Sequence, residues 1–404
     1  MTDHGTGRQV RRRRVFYIPG YDPVPPRRYR ELYRRESASQ ARVSGYQIAL
    51  GKPVDQDVFG WHVTARIENH EVTADFEVLV WSDIVRASMS DSIVATYGQM
   101  LRTVWVYVGS GALWPLMRLR KGPVLAALYP VAMLCLQAVL AMILGWIVMR
   151  LAGLGLPWVA AAVLGVAAAV LMLRWFRTVD GRLFAHYLMH DFAFTAQLKG
   201  AYPPELETRL AVFGDRIAAA LLDDVDEVLV VGHSSGAYLA VSVLADLMRA
   251  GRVRRKGAAL GFLSLGQVVP MASFLPRAER LRRDLRDLSL RDELCWVDVS
   301  APGDGCSFAL CDPVAVSGVA PKEQRWPLVL SAAFSQTLSP EKQAALRHRF
   351  FRLHFQYLCA FDRPGAYDYF RITAGPRTLC DRFAEQAPSP SRIHVPVSRH
   401  VSVA

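Results

Sequence analysis

No two of the six cysteines in this 404-residue chain form a CxxC pair. Cys135, Cys295, Cys306, Cys311, Cys359 and Cys380 follow no regular spacing, which argues against a disulfide framework or a thiolate zinc site and predicts reduced thiols. The long apolar run of a secretory leader is missing near the start. Residues 1–14 are polar and end in four arginines, and only Val15-Phe16-Tyr17-Ile18 precedes Pro19-Gly20. The expectation is a basic tail over 1–14 that begins in the cytoplasm. There is no internal repeat, which excludes solenoid and propeller arrays. Acidic residues are in deficit, 36 against 48 Lys and Arg, for a net charge of +12. That balance suits nucleic acid or an anionic membrane surface. The basic clusters at 11–14 and 252–256 lack interleaved aromatics and any nucleic-acid module, so no nucleic-acid partner is expected.

Charge is absent altogether from two long runs, 123–149 and 151–173. A helix needs about 20 apolar residues to cross the hydrocarbon core. Gly153, Gly155 and Pro157 interrupt the pair just after Arg150. The pattern predicts two transmembrane helices, 124–149 and 156–174, joined by a short loop. Arg118, Arg120 and Lys121 flank the first, and Arg174, Arg177 and Arg182 follow the second, whereas the loop has Arg150 alone. Both outer ends are therefore expected on the cytoplasmic side. The segments before 118 and after 177 then share one side and can fold together. The expected organisation is one domain built from 15–117 and 178–375, a hairpin at 118–177 inserted in it, and a C-terminal tail at 376–404, whose last roughly 15 residues, rich in Pro and Ser, are expected to be loose. The anionic leaflet becomes the expected partner of the basic surface.

Short strands are expected at 15–18, 46–50, 61–67 and 76–81, the second and third as an antiparallel pair. Trp61, Val63 and Ala65 alternate with His62 and Thr64, as a half-buried strand requires. Helices are expected at 27–39, 181–199, 204–222 and 277–293, the last laced with Arg and Asp. Further strands are expected at 258–265 and 294–299, followed by a loop at 300–305.

One segment carries chemistry. The run Glu227-Val228-Leu229-Val230-Val231 leads into Gly232-His233-Ser234-Ser235-Gly236 and then the helical Ala237-Tyr238-Leu239-Ala240-Val241. A strand-to-helix turn this sharp leaves no room for side chains beside it, hence the flanking glycines Gly232 and Gly236. It exposes the Ser234 hydroxyl at a helix N-terminus, where N–H groups and the dipole favour a developing oxyanion.

A serine hydroxyl needs a base, and the base an orienting carboxylate. In this arrangement they follow in the order Ser, acid, His. Asp304, between Gly303 and Gly305 in the loop after a strand, is the first candidate for the acid, with Asp298 and Asp312 as rivals. His354, among aromatic and apolar residues, is the first candidate for the base, ahead of His348, His394 and His400. The oxyanion needs two donors. Ser235 offers one, and Gly20-Tyr21, after the first strand, offers the other.

These residues resemble the α/β-hydrolase superfamily over 15–117 and 178–375: the Ser234 elbow with its strand and helix, His233 before the nucleophile as in lipases and esterases, then Asp304 and His354, and Pro19-Gly20-Tyr21 in the oxyanion position. The sequence departs from that family in lacking a His-Gly oxyanion loop and in carrying the hairpin. The resemblance implies an α/β fold, with a mostly parallel sheet flanked by helices. It also implies a serine hydrolase that cleaves an ester through an acyl-enzyme, with no metal or organic cofactor. With the hairpin, the expectation becomes an integral protein of a bacterial inner-membrane type, its catalytic domain cytoplasmic and its substrate a lipid or other acyl ester. The alternatives are an acyltransferase and a catalytically idle adaptor of the same fold.

Overall fold

A computed structural model describes residues 9–52, 58–90, 92–254 and 257–404. Most of the basic N-terminal tail, and Arg255 and Lys256 of the second basic cluster, lie outside the described residues. The chain forms one eight-stranded sheet in the order β2-β3-β4-β1-β5-β6-β7-β8. The strands are β1 (Arg12–Ile18), β2 (Gln47–Leu50), β3 (Gly60–Ile67), β4 (His70–Val78), β5 (Glu227–His233), β6 (Ala259–Leu265), β7 (Cys295–Ser300) and β8 (Leu328–Ser331). From β4 to β8 all neighbours are parallel, while β2-β3-β4 is an antiparallel edge.

The central strands are apolar at nearly every position because both sheet faces are covered. In β5, Val228 and Val230 point into one core, and Leu229 and Val231 into the other. The first core is closed by α9 (Pro204–Ala220), α10 (Ser235–Arg249) and α12 (Glu279–Ser289), whose apolar stripes supply Leu210, Leu244 and Leu285. The second is closed by α1 (Arg27–Ser44), through Tyr29 and Tyr33, and by the region around residues 357–383.

Among the described residues, the elements between β4 and β5 are all helices: α2 (Ser82–Ser88), α3 (Ile93–Gly109), α4 (Leu113–Leu119), α5 (Lys121–Ala152), α6 (Trp158–Thr178), α7 (Asp180–Leu183), α8 (Ala185–Ala196) and α9. Helices α5 and α6, of 32 and 21 residues, are long and apolar enough to cross a membrane. They pack with their backbones in contact. A Cβ on Gly165 would stand 2.6 Å from the Gly145 carbonyl oxygen, and one on Gly145 would stand 2.8 Å from that of Gly165. Small residues at the crossing are what an apolar helix pair needs for close approach.

The structure corrects several boundaries. Strand β4 starts at His70 and ends at Val78, so it begins six residues before the expected strand. The hairpin joining it to β3 turns through Glu68 and Asn69, both with positive φ (53° and 63°), without the glycine that usually announces such a turn. The expected helix at 181–199 is the pair α7 and α8, with Phe184 in a left-handed conformation between them. Strand β8, only four residues long, carries no sequence signal. The C-terminal segment is not loose. It contains a short helix at Leu379–Phe383, and its extended backbone is tied down by Ser389 N–H to Val329 O, Asp312 N–H to Ile393 O and Ile393 N–H to Leu310 O, at 2.7–2.8 Å. The buried Arg282 donates to the Ser402 carbonyl at 2.6 Å. Proline and serine leave a chain extended, and here that extended chain finds backbone partners.

Candidate active site

Strand β5 runs straight into α10, and Ser234 stands at the junction with φ 57° and ψ −122°. That conformation is strained for any residue with a Cβ. The packing around it explains why it persists. A Cβ on Gly236 would stand 2.0 Å from the Ile18 carbonyl oxygen, and one on Gly232 would stand 2.7 Å from Ala237 Cα. The start of α10 is thus pressed against the ends of β1 and β5. Ser234 N–H donates to the Leu265 carbonyl at 2.9 Å, fixing the turn to β6. Of residues 231–240, only Ser234 is not fully buried.

Asp304 lies in the loop after β7, and His354 ends a short helix, Phe350–His354. His354 Nδ1 is 2.8 Å from Asp304 Oδ2. The same oxygen accepts from the Tyr357 hydroxyl at 3.0 Å, and Oδ1 accepts from Cys306 N–H at 2.9 Å. Burial pushes the Asp304 carboxyl up, but the His354 imidazole and these hydrogen bonds outweigh it and hold the group below the usual carboxylate range. An Nδ1–H donated to a carboxylate leaves His354 Nε2 as the free acceptor. Close approach here depends on Gly266 (φ 51°), where a Cβ would stand 2.6 Å from Tyr357 and 3.3 Å from the His354 ring.

His233 packs its ring 4.7 Å from that of His354 and donates from Nε2 to the His354 carbonyl at 3.0 Å. Burial and the neighbouring imidazole push its pKa down to about 3, so it stays neutral where it packs against His354.

The loop carrying Gly20 and Tyr21 is held on every side. Pro19 O accepts from Trp81 Nε1 at 2.9 Å, Tyr21 O accepts from the Tyr187 hydroxyl at 2.6 Å, and the Tyr21 hydroxyl meets Ser88 at 2.6 Å. A Cβ on Gly20 would stand 3.0 Å from Ser234 Cβ, so Gly20 lies directly against the nucleophile position. Gly20, Tyr21 and Ser235 carry the candidate oxyanion donors. They border the same cavity as Ser234.

That cavity, about 940 Å³, is lined by Ser234 and His354. Its lining also includes Leu188 and Phe192 of α8, Pro123 and Ala126 at the start of α5, and the charged Arg28, Glu31 and Arg352. Asp191, also on α8, is a wall residue that sequence reasoning missed. Burial among apolar and tyrosine side chains pushes its carboxyl up to about 7. Its role is set by the fold of α8 over the cavity, for which spacing gives no signal. Tyr357 was missed as well, although it lies one turn after His354.

The rival candidates fall elsewhere. Asp298 is buried inside β7, accepts from the Ser264 hydroxyl and is pushed up to about 7 by burial. Asp312 caps the short helix Pro313–Val316 by accepting from Val314 and Ala315 N–H. His348 and His394 are exposed, and His400 pairs with the Ser110 carbonyl. Asp304, Cys306 and His354 have potential ligand atoms within 4.8 Å of one another. They suit a metal poorly, because both Asp304 oxygens already accept hydrogen bonds and burial pushes the Cys306 thiol up, away from the thiolate a metal needs. Comparison of the chain with protein-family models, curated proteins and solved structures finds no match.

Proposed function

We propose that this chain is a membrane-anchored serine hydrolase of the α/β-hydrolase type, cleaving an ester whose acyl part is a lipid chain. The observation that carries the reading is a cavity lined by Ser234, by His354 with Asp304 paired behind it, and by Pro123 and Ala126 at the start of the apolar helix α5. In this mechanism Ser234 Oγ attacks the ester carbonyl while His354 Nε2 takes its proton. The tetrahedral oxyanion forms against Ser235 N–H and the Gly20-Tyr21 loop. His354 then returns the proton to the leaving alcohol, an acyl-Ser234 remains, and water activated by the same imidazole releases the acid. Asp304 holds the imidazole in its tautomer and stabilises the imidazolium. Discharge onto a second alcohol instead of water would make the same acyl-enzyme an acyltransferase.

The lipid assignment is supported by the apolar side chains Ala126, Leu188 and Phe192, which line the same cavity as Ser234 beside the charged Arg28, Glu31 and Arg352. The Lys/Arg bias supports a cytoplasmic position for this domain. The test is labelling of the membrane fraction with a fluorophosphonate probe, comparing wild type with Ser234→Ala and His354→Ala. Labelling that both substitutions abolish supports an activated serine. No labelling of folded wild type favours the idle adaptor.

A further inference from the structure

Helix α3 has the opposite polarity to a water-facing helix. It buries Thr96, Met100, Thr103 and Tyr107 toward α8 and α5. Its outward face carries Val94 (81 % exposed), Leu101 (66 %) and Trp105 (76 %), with Val104 and Val108 beside them. Arg102 is the one charge in the whole helix. Trp114 on α4 extends the patch. A surface helix normally turns its polar residues outward, and a contiguous exposed apolar patch marks an interaction surface.

Lipid is the occupant that fits. The Tyr97 hydroxyl donates to the Leu134 carbonyl at 2.9 Å, which fastens α3 beside the charge-free part of α5, so the two apolar surfaces are continuous. Between Asp91 and Asp180 the chain has no Asp or Glu, while Arg102, Arg118, Arg120, Lys121, Arg174 and Arg177 lie in or beside the apolar elements. That one-signed charge complements an anionic leaflet. The Arg118 guanidinium stacks 5.7 Å over the Trp114 ring, a pairing suited to the headgroup level. The 32 residues of α5 would span about 48 Å, against a hydrocarbon core of about 30 Å. Its first turns are thus free to stand at the interface where α3 packs.

We propose that α3 and the start of α4 form a lipid-facing surface separate from the helical hairpin, α3 lying in the bilayer interface with Leu101 and Trp105 among the acyl chains. The cleft beside α3 and the Ser234 cavity share Phe192 and Met271 in their walls. A lipid on the outward face of α3 is then separated from that cavity by α3 and α8. The surface itself does not depend on Ser234 being a nucleophile.

The experiment is photo-crosslinking of the full-length protein in nanodiscs of phosphatidylcholine and phosphatidylglycerol. The variants are Leu101→p-benzoylphenylalanine, Trp105→p-benzoylphenylalanine, Leu136→p-benzoylphenylalanine on α5 and Val212→p-benzoylphenylalanine on the exposed side of α9. The expected result is a lipid adduct at Leu101, Trp105 and Leu136 and none at Val212. Adducts at Leu136 alone overturn the α3 surface while leaving the hairpin in the bilayer. A cross-linked second copy at Leu101 or Trp105, without lipid adduct, overturns it in favour of a dimer face. Adducts at none of the four overturn both this surface and a membrane-spanning hairpin.

Discussion

Asp304 Oδ2 accepts two hydrogen bonds at once, from His354 Nδ1 at 2.8 Å and from the Tyr357 hydroxyl at 3.0 Å. The tyrosine therefore holds the carboxylate that holds the imidazole. Asp304→Asn keeps the shape but favours the wrong tautomer of His354. An exchange of this kind costs about 10⁴-fold in kcat where a triad operates. Tyr357→Phe removes one of three hydrogen bonds to the carboxylate, and the expected loss is smaller, about 10- to 150-fold, for a single bond to a charged group worth roughly 1.5–3 kcal/mol. Turnover of a soluble p-nitrophenyl ester by the two variants checks the order. Equal losses would mean that the tyrosine acts on something other than Asp304.

Ser234 is held at φ 57° by its neighbours, and this strain has a measurable sign. Glycine adopts such a backbone freely, so Ser234→Gly is expected to stabilise the fold by about 1 kcal/mol while abolishing activity. Gly236→Ala should do the reverse. Its Cβ would meet the Ile18 carbonyl at 2.0 Å, and backbone cannot step aside as a flexible side chain can. A loss of at least about 3 kcal/mol, or failure to fold, is expected. Thermal melts of the purified protein in detergent compare the two. A Ser234→Gly variant that melts below wild type would remove the strain argument.

Asp191 makes the stability depend on pH. Its carboxyl is pushed up to about 7 by burial, above the ordinary value near 3.8 that it regains on unfolding. The folded state therefore binds the proton more tightly. The corresponding stability is complete below about pH 4 and is lost as pH rises toward 7, after which it stays flat. Asp191→Asn is neutral at every pH, so its melting temperature should rise relative to wild type across that window. Asp298, raised to about 7 by the same cause, contributes a slope of the same sign, so the comparison must be made as a difference between the two proteins. A difference that does not vary between pH 4 and 7 would show that Asp191 titrates normally.

What the sequence made legible was local. The run from Glu227 to Val231 and the two glycines around Ser234 define a strand, a turn and a helix without reference to the rest of the chain. The hairpin was legible because 27 and 23 residues without charge satisfy a membrane on their own terms. What escaped depended on distant partners. The C-terminal segment lies extended only because Leu310, Val329 and Arg282 present groups to it. Asp191 becomes a cavity residue only once α8 folds back after the hairpin. The Glu68-Asn69 turn escaped because neither residue is a glycine. The order of acid and base along the chain left several candidates, the glycine-flanked loop favoured Asp304 and the aromatic setting His354, and it is their pairing in space that separates them from Asp298, Asp312 and the other histidines.

The crossing of α5 and α6 makes the last prediction. Gly145 and Gly165 face each other so closely that a single added carbon would stand 2.6–2.8 Å from the opposing carbonyl oxygen. Helices in lipid gain nothing from expelling water, so backbone proximity and dispersion at such crossings provide much of their association. Gly165→Leu must push the helices apart, whereas Ala167→Leu, at an exposed position of α6, should not. Because α5 also walls the cavity through Pro123 and Ala126, splaying the pair is expected to disturb the site as well as lowering the melting temperature. Gly165→Leu should therefore lose turnover of long-chain esters more than turnover of acetate esters, while Ala167→Leu loses neither. A Gly165→Leu protein with unchanged melting and unchanged chain-length preference would mean that the close crossing does not hold the hairpin or the cavity wall in place.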